Sequence, residues 1–287
     1  MTVSEFIRLG IGSLGHLYPE PEAKAIDFRL LEHLAGIPSY KYISDPDMRV
    51  EEPALLSALD ELKTGRPLQY VLGFTEFCGH RFKVGEGCLI PRPETEEMVS
   101  RIVDDLYADD GDPAQASSEA EEDGPFSILD ICTGSGCIAW SLAAEFPEAM
   151  VYGCDISDAA LRYACRQRVK VGGAKPIFFT ADVLAEPPAG LPKFDLIVSN
   201  PPYICESERS AMRPNVLDFE PGSALFVPDD DPLRFYRALA RWADVLLRPD
   251  GHVYMEVNER FGPEVAALFP GSRVLQDVSG RDRFVVR

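Results

Sequence analysis

The segment Asp195-Leu196-Ile197-Val198-Ser199-Asn200-Pro201-Pro202-Tyr203 carries the most specific chemistry in the chain. Its apolar run reads as a buried strand that stops abruptly at two prolines. Pro201 and Pro202 lack an N–H and fix φ, so the corner is stiff and the carbonyls around Asn200 and Pro201 stay free to accept hydrogen bonds from a ligand. An amide nitrogen is a poor nucleophile, because its lone pair is delocalised into the carbonyl, and a site that alkylates one must position and polarise it. The Asn200 side-chain oxygen and the Pro201 carbonyl can each accept one N–H, turning the lone pair towards an electrophilic carbon and stabilising charge that grows on nitrogen. Tyr203 can stack on the amide plane and keep water out. No strong base is needed beforehand, since the proton leaves more readily once the nitrogen is alkylated. The four histidines, His16, His33, His80 and His252, are scattered without partners and suggest no Ser/His/Asp arrangement.

A second constellation lies upstream, in Asp130-Ile131-Cys132-Thr133-Gly134-Ser135-Gly136-Cys137. It reads as a strand running into a glycine-containing turn and then a helix, whose unpaired N–H groups and absent β-carbons allow close approach of a ligand. Gly134, Gly136 and Ala139 also satisfy the loose dinucleotide fingerprint, with Asp155 about 20 residues on. Asp155 ends the next strand, where a carboxylate can accept both hydroxyls of a ribose. Asp182-Val183 follows the third, where an acceptor and an apolar face can hold the amine and ring of an adenine. Three carboxylates at successive strand ends fit an adenosine with an amino-acid tail better than a dinucleotide, with Asp130 facing the cationic methionine end. Taken singly, each Asp also suits a helix N-cap or turn, a reading that weakens when the three are taken together.

The elements that position these residues follow from periodicity. Ile26, Leu30, Leu31 and Leu34, then Leu55, Leu56, Leu59 and Leu62, recur at helical spacing between breaks near Pro19, Pro38 and Pro53, which predicts a small helical domain over residues 1–73. Short β-like pieces, Glu76-Phe77-Cys78 and Arg81-Phe82-Lys83-Val84, are hinged by Gly79-His80 and make residues 74–93 a hairpin linker. Residues 94–287 form the third part. A helix from Glu94 to about Tyr107 leads into Ala108–Gly124, too rich in Asp, Glu, Ala, Ser and Gly to fold and therefore expected as a flexible acidic insertion. Strands at Ile128–Ile131, Val151–Cys154, Ile177–Thr180, Phe194–Ser199 and His252–Val257 then alternate with helices from about Gly136, near Asp158–Val169 and near Pro232–Leu247. Terminal strands are expected around Val274–Val278 and Arg283–Val286. Such alternation implies an α/β fold with a mainly parallel sheet covered on both faces, which binds ligands beyond the carboxyl ends of its strands.

Composition narrows the partners. With 287 residues, 46% apolar and 26% charged, the chain has room for a core, and no apolar run approaches the ~18 residues of a membrane span. Met1 to Tyr18 carries Glu5 and interrupted apolar positions, unlike a secretion signal, so a cytoplasmic location is expected. Seven cysteines without a CxxC pair read as reduced thiols, with neither a disulfide framework nor a metal site. A net charge of −19 repels polyphosphate and argues against direct binding of nucleic acid.

The Asn-Pro-Pro-Tyr tetrapeptide after a fourth strand resembles the motif of methyltransferases that act on planar nitrogens in adenine, cytosine or glutamine. Adding Arg66-Pro67-Leu68-Gln69-Tyr70-Val71-Leu72-Gly73, Leu89-Ile90-Pro91-Arg92-Pro93-Glu94-Thr95-Glu96 and Phe219-Glu220-Pro221, the chain resembles the peptide chain release factor glutamine N5-methyltransferases, the PrmC/HemK family, over nearly its whole length. The resemblance implies a Rossmann-like seven-stranded domain, S-adenosyl-L-methionine as methyl donor, and as substrate the glutamine of the Gly-Gly-Gln motif in class I release factors. It implies that Cys132, Thr133, Gly134, Ser135, Gly136, Asp155, Val183 and Asn200 line the cofactor, to which the strand-end carboxylates add Asp130 and Asp182, and that Asn200, Pro201, Pro202 and Tyr203 hold the glutamine. The helical N-terminal domain is expected to dock the release factor, and the chain is expected to be a monomer. Cys132 stands where the family has Gly, which leaves less room at the methionine end. Arg92 and Glu94 fit either a lid or an ion pair. The sister activity on a ribosomal-protein glutamine would use the same loop, an adenine-N6 nucleic-acid enzyme would need a basic recognition region that is absent, and a binding-only module would not need Asn200 and Asp155.

Overall fold

The computed structural model describes residues 1–110 and 124–287, so residues 111–123 of the expected acidic insertion lie outside the described residues. The chain divides into two compact units, Met1–Phe74 with Arg213–Phe219, and Thr75–Met212 with Glu220–Arg287.

The first unit is helical. Helix α1 (Val3–Leu14) begins with a capping box, in which the Glu5 N–H donates to the Thr2 hydroxyl at 3.2 Å and the Thr2 N–H donates to the Glu5 carboxylate at 2.7 Å, satisfying two otherwise orphan donors. Helix α2 (Glu20–Ala35) ends at Gly36, whose φ of 67° is the left-handed turn that terminates helices. Both pack with α4 (Pro53–Leu62), which follows the short α3 (Lys41–Ser44), and bury Phe6, Ile7, Leu14, Leu30, Leu31, Leu55, Leu59 and Leu62. One polar group is enclosed with them. Asp27 of α2 is fully buried, its carboxylate set against Gly10 of α1, and among the described residues neither oxygen has a hydrogen-bond partner. Burial alone pushes its pKa up to about 8. The short α5 (Leu68–Leu72) completes the unit before Gly73.

The second unit opens with a hairpin, β1 (Phe74–Phe77) and β2 (His80–Lys83), from which Phe77 and Phe82 turn into the core. Helix α6 (Pro93–Asp110) runs three residues into the stretch expected to be unfolded, so Ala108–Asp110 belong to a helix. Seven strands follow in one sheet: β3 (Ser127–Ile131), β4 (Met150–Asp155), β5 (Ile177–Thr180), β6 (Phe194–Ser199), β9 (Leu247–Glu256), β10 (Arg273–Gln276) and β11 (Asp282–Val286), in the order β10-β11-β9-β6-β3-β4-β5. All neighbours pair in parallel except β11, which runs antiparallel to both β9 and β10. The small strands β7 (Ile204–Cys205) and β8 (Phe226–Val227) pair outside this sheet. Two apolar layers cover the sheet faces. One gathers Ile102, Ile128, Leu142, Val151 and Leu196, and the other gathers Leu129, Ile197, Leu239, Trp242 and Val253. Burial on both faces is why the strands read as continuous apolar runs rather than as an alternation.

The helices after β3 and β4, α7 (Cys137–Glu145) and α8 (Asp158–Ala164), start where expected, but α8 is much shorter than the Asp158–Val169 spacing suggested. The connection from β6 contains α9 (Pro214–Leu217), which lies in the first unit, and α10 (Arg234–Leu246) leads into β9. All seven cysteines are free thiols. Among the described residues no helix is long and apolar enough to cross a membrane.

Candidate active site

Parallel strands align their carboxyl ends, and the register fixes which residues meet there. Ile131 of β3 faces Cys154 of β4 on one side and Ser199 of β6 on the other, while Ser199 faces Met255 of β9. The Ser199 hydroxyl donates to the Ile131 carbonyl at 2.7 Å, tying the cofactor-type loop to the proline corner. A cleft opens over these ends, lined by Gly87, Leu89, Ile131, Cys132, Gly134, Cys154, Asp155, Ile156 and Ser157, then by Ala181, Asp182, Val183, Asn200, Pro202, Ser223 and Phe235, among others. Its volume of about 230 Å³ exceeds by far the roughly 10–15 Å³ that one water needs, so it is ligand-sized.

On the carboxylate side of the cleft, backbone donors fix the side chains. Asp155 accepts from the Gly134 N–H at 2.9 Å and the Ser157 N–H at 2.8 Å, which locks its carboxylate from behind and leaves lone pairs for a ligand. Burial raises its pKa, against the hydrogen bonds from Ser157 and Gly134. Gly134 has φ 55°, and a β-carbon there would meet nothing within 4 Å, so a ligand can press against its backbone. Ile156, exposed to 63% although large and apolar, lines the cleft with buried Val183. Asp182 is exposed beside it, and one of its oxygens accepts the Leu184 N–H at 2.9 Å.

Other predicted residues support the loop without facing the cleft. Asp130, expected at the methionine end, lies under the loop, fully buried. It accepts from the Thr133 hydroxyl at 2.5 Å and from the Ala139 N–H at 3.1 Å, so it holds the loop to the first turn of α7. Burial pushes its pKa up to about 7, against those two hydrogen bonds. Thr133, Ser135 and Gly136 are likewise buried and outside the cleft lining, and the Ser135 carbonyl accepts from Gln167 at 3.0 Å. Cys132 does reach the cleft, in the left-handed region at φ 62°, a conformation that explains why glycine suits this position. Burial lifts its thiol well above the ordinary range.

Asn200 is placed with its side chain polarised. Its Nδ2 donates to the Thr95 hydroxyl at 2.9 Å, and that hydroxyl donates to Glu256 at 2.7 Å. One of the two Nδ2 hydrogens is so engaged, and among the described residues Oδ1 has no hydrogen-bond partner. Tyr203 sends its hydroxyl to the second Glu256 oxygen at 2.7 Å, and among the described residues it is not part of the cleft lining. Pro201 and Pro202 are both buried, with Pro202 at the cleft. Glu256 is 1% exposed, and burial raises its pKa against hydrogen bonds from Thr95 and Tyr203 and the charge of Arg283. Arg92 pairs with Glu220 rather than with Glu94. Its guanidinium donates to one Glu220 oxygen at 2.6 Å, and the Ile90 N–H donates to the other at 3.0 Å, fastening the Ile90–Pro93 stretch to the segment that supplies Pro221 and Ser223.

Glu256 has no motif signal in sequence, and Thr95 carries none beyond the run in which it stands. The same holds for the distant lining residues Gly87, Ser223 and Phe235.

Known proteins resemble the chain as follows. A family model described as "Methyltransferase small domain" matches residues 119–216. The release factor glutamine methyltransferase of Bacteroides thetaiotaomicron is 37% identical over 281 residues, covering 95% of this chain and 95% of its own, and that of Flavobacterium psychrophilum is 35% identical over 99% and 98%. Among solved structures, TrmN from Thermus thermophilus aligns with TM-score 0.40 and 23% identity over 61% of this chain and 47% of that one. The extent and identity of the sequence matches show that the chain belongs to the release factor glutamine methyltransferase family.

Proposed function

We propose that the chain transfers a methyl group from S-adenosyl-L-methionine to the side-chain nitrogen, N5, of the glutamine in the Gly-Gly-Gln motif of class I peptide chain release factors. The observation that carries this reading is the orientation of Asn200, a residue of the cleft lining that donates one Nδ2 hydrogen to Thr95 and keeps Oδ1 without a protein partner among the described residues. The residues fit the methyl donor. Asp155 would accept the ribose hydroxyls, Ile156 and Val183 would sandwich the adenine with Asp182 at its edge, and the backbone from Cys132 to Gly134 would lie along the methionine end. The bound donor supplies an electrophilic methyl on a sulfonium.

The chain's own residues do the rest. The glutamine amide carries two N–H groups, and Asn200 Oδ1 and the Pro201 carbonyl accept one each, which turns the nitrogen lone pair towards the cleft. Because Pro201 and Pro202 hold the corner rigid, little reorganisation is needed as positive charge builds on nitrogen. Both acceptors stabilise that charge more strongly in the transition state than in the ground state, and the surplus lowers the barrier. The extra proton leaves to solvent after the nitrogen is alkylated. Tyr203, anchored to Glu256, walls the corner, and the helical unit docks the release factor. The acidic balance of the chain opposes a nucleic-acid substrate.

The test is mass spectrometry of candidate release factors after incubation with the protein and isotopically labelled donor. One labelled methyl on the glutamine of Gly-Gly-Gln, absent with Asn200→Ala, is the expected result. Labelling of a ribosomal protein instead, or of the same glutamine at an unchanged rate by Asn200→Ala, would overturn the proposal.

A further inference from the structure

We infer that Thr95 and Glu256 are positioning residues that set the polarity of the Asn200 carboxamide, acting as a two-step hydrogen-bond relay behind the substrate corner. The inference rests on the reading of Asn200 as the acceptor of the glutamine N–H. A primary carboxamide is nearly symmetric in shape, and rotation by half a turn exchanges an acceptor for a donor. In the flipped state Asn200 would present N–H groups to a substrate amide that also offers N–H groups, and the site would repel the nitrogen it must hold. Something other than shape must therefore select the orientation.

With Glu256 ionised, the relay makes that selection because each member then has one direction available. Both Glu256 oxygens accept, one from the Thr95 hydroxyl at 2.7 Å and one from the Tyr203 hydroxyl at 2.7 Å. The Thr95 hydroxyl has a single hydrogen, and donating it to Glu256 leaves its oxygen only as an acceptor. The atom of Asn200 facing it must then be the donor Nδ2, which it meets at 2.9 Å. Thr95 and Glu256 are 2% and 1% exposed, so water does not substitute for either partner, and a buried unpaired polar atom would be costly. The fold brings the three together from separate places. Asn200 follows β6, Glu256 ends the adjacent parallel strand β9, and Thr95 sits in the first turn of α6. Neither Thr95 nor Glu256 lines the cleft, which separates their role from binding of the methyl donor.

The test uses the full chain and compares Thr95→Val, which keeps the shape and removes the hydroxyl, with Thr95→Ser, which keeps the hydroxyl. Thr95→Val should lower kcat on a release factor by about 10- to 100-fold, the loss of one buried orienting hydrogen bond, with donor affinity by calorimetry close to that of the parent and a melting temperature a few degrees lower, because a buried Glu256 oxygen loses its partner. Thr95→Ser should recover most of that rate. Independently of turnover, the Asn200 side-chain amide protons, assigned by nitrogen-15 NMR, should be protected from exchange in the parent and in Thr95→Ser and lose protection in Thr95→Val. If Thr95→Val matched the parent in kcat, or if the amide protons were equally protected in all three proteins, the relay would be refuted. If the parent showed the protection pattern but methylated no release-factor glutamine, the relay would stand and the proposed substrate would fall.

Discussion

Replacing Asp27 by asparagine should stabilise the protein by an amount that grows with pH. Asp27 is enclosed between α1 and α2 with neither carboxylate oxygen partnered among the described residues, and burial pushes its pKa from 3.8 to about 8. The folded chain thus keeps a proton on Asp27 between about pH 5 and pH 7, where the unfolded chain has released it. The sign follows directly. A carboxyl whose folded pKa is raised contributes no penalty below its unfolded pKa, costs stability progressively as pH rises from there to the folded value, and costs no more beyond it. One proton corresponds to about 1.4 kcal/mol per pH unit, so the parent should lose roughly 3 kcal/mol relative to Asp27→Asn between pH 5 and pH 7. Urea unfolding of both proteins at matched ionic strength, followed by far-ultraviolet circular dichroism, measures the difference, and groups shared by the two cancel. A stability difference that stays flat over this range would refute the reasoning, as would one that shrinks as pH rises. Gly10 offers a companion check, since a β-carbon there would collide with the Asp27 carboxylate. Gly10→Ala should destabilise the parent despite alanine's better helix propensity, and much less so in a chain that also carries Asp27→Ala.

Three further outcomes follow from the second unit. Asp155→Ala removes the carboxylate that the Gly134 and Ser157 N–H groups aim into the cleft, and calorimetry should show donor affinity weakened by about 10- to 100-fold; an unchanged Kd would remove Asp155 from the ribose site. Cys132→Gly relieves a left-handed backbone, which costs an L-residue about 1–2 kcal/mol, against roughly 0.5–1 kcal/mol of glycine chain entropy, so melting should rise slightly. A fall of several degrees would show that the thiol's packing outweighs its strain. Arg92→Ala leaves the Glu220 carboxylate, 1% exposed, with only the Ile90 N–H, and should cost on the order of 2 kcal/mol by denaturant unfolding, less than a fully buried pair because Arg92 is itself 29% exposed; a loss below about 0.5 kcal/mol would mark the pair as a surface ornament.

The legible parts of the molecule were those written in contiguous residues. The strands after residue 126 declared themselves because a two-face buried parallel strand is an unbroken apolar run, and the glycine loop and proline corner followed them at fixed positions. Cys132 was visible as a departure from the family pattern, but its physical meaning needed the backbone, since a positive φ leaves no trace in composition. The helix expected over Asp158–Val169 stops at Ala164 because Val169 and Val171 reach the core from a non-helical backbone, and apolar spacing does not distinguish the two routes. Asp130 was read as a cleft residue from its place at a strand end, yet pleating turned it under the loop, where Thr133 and the first turn of α7 engage it. The Thr95–Asn200 and Thr95–Glu256 contacts span 105 and 161 residues, and no local periodicity encodes a hydrogen bond across such separations. The relay emerges only from the parallel register that sets Ser199 beside Met255.

The central claim concerns one carboxamide meeting another, and a crystal structure with S-adenosylhomocysteine and a Gly-Gly-Gln peptide addresses it most directly. The account predicts the glutamine nitrogen within hydrogen-bond distance of both Asn200 Oδ1 and the Pro201 carbonyl, on the cleft side of the corner, with Nδ2 still donating to Thr95. A glutamine bound elsewhere, or an Asn200 that turns Nδ2 towards the peptide, would contradict it.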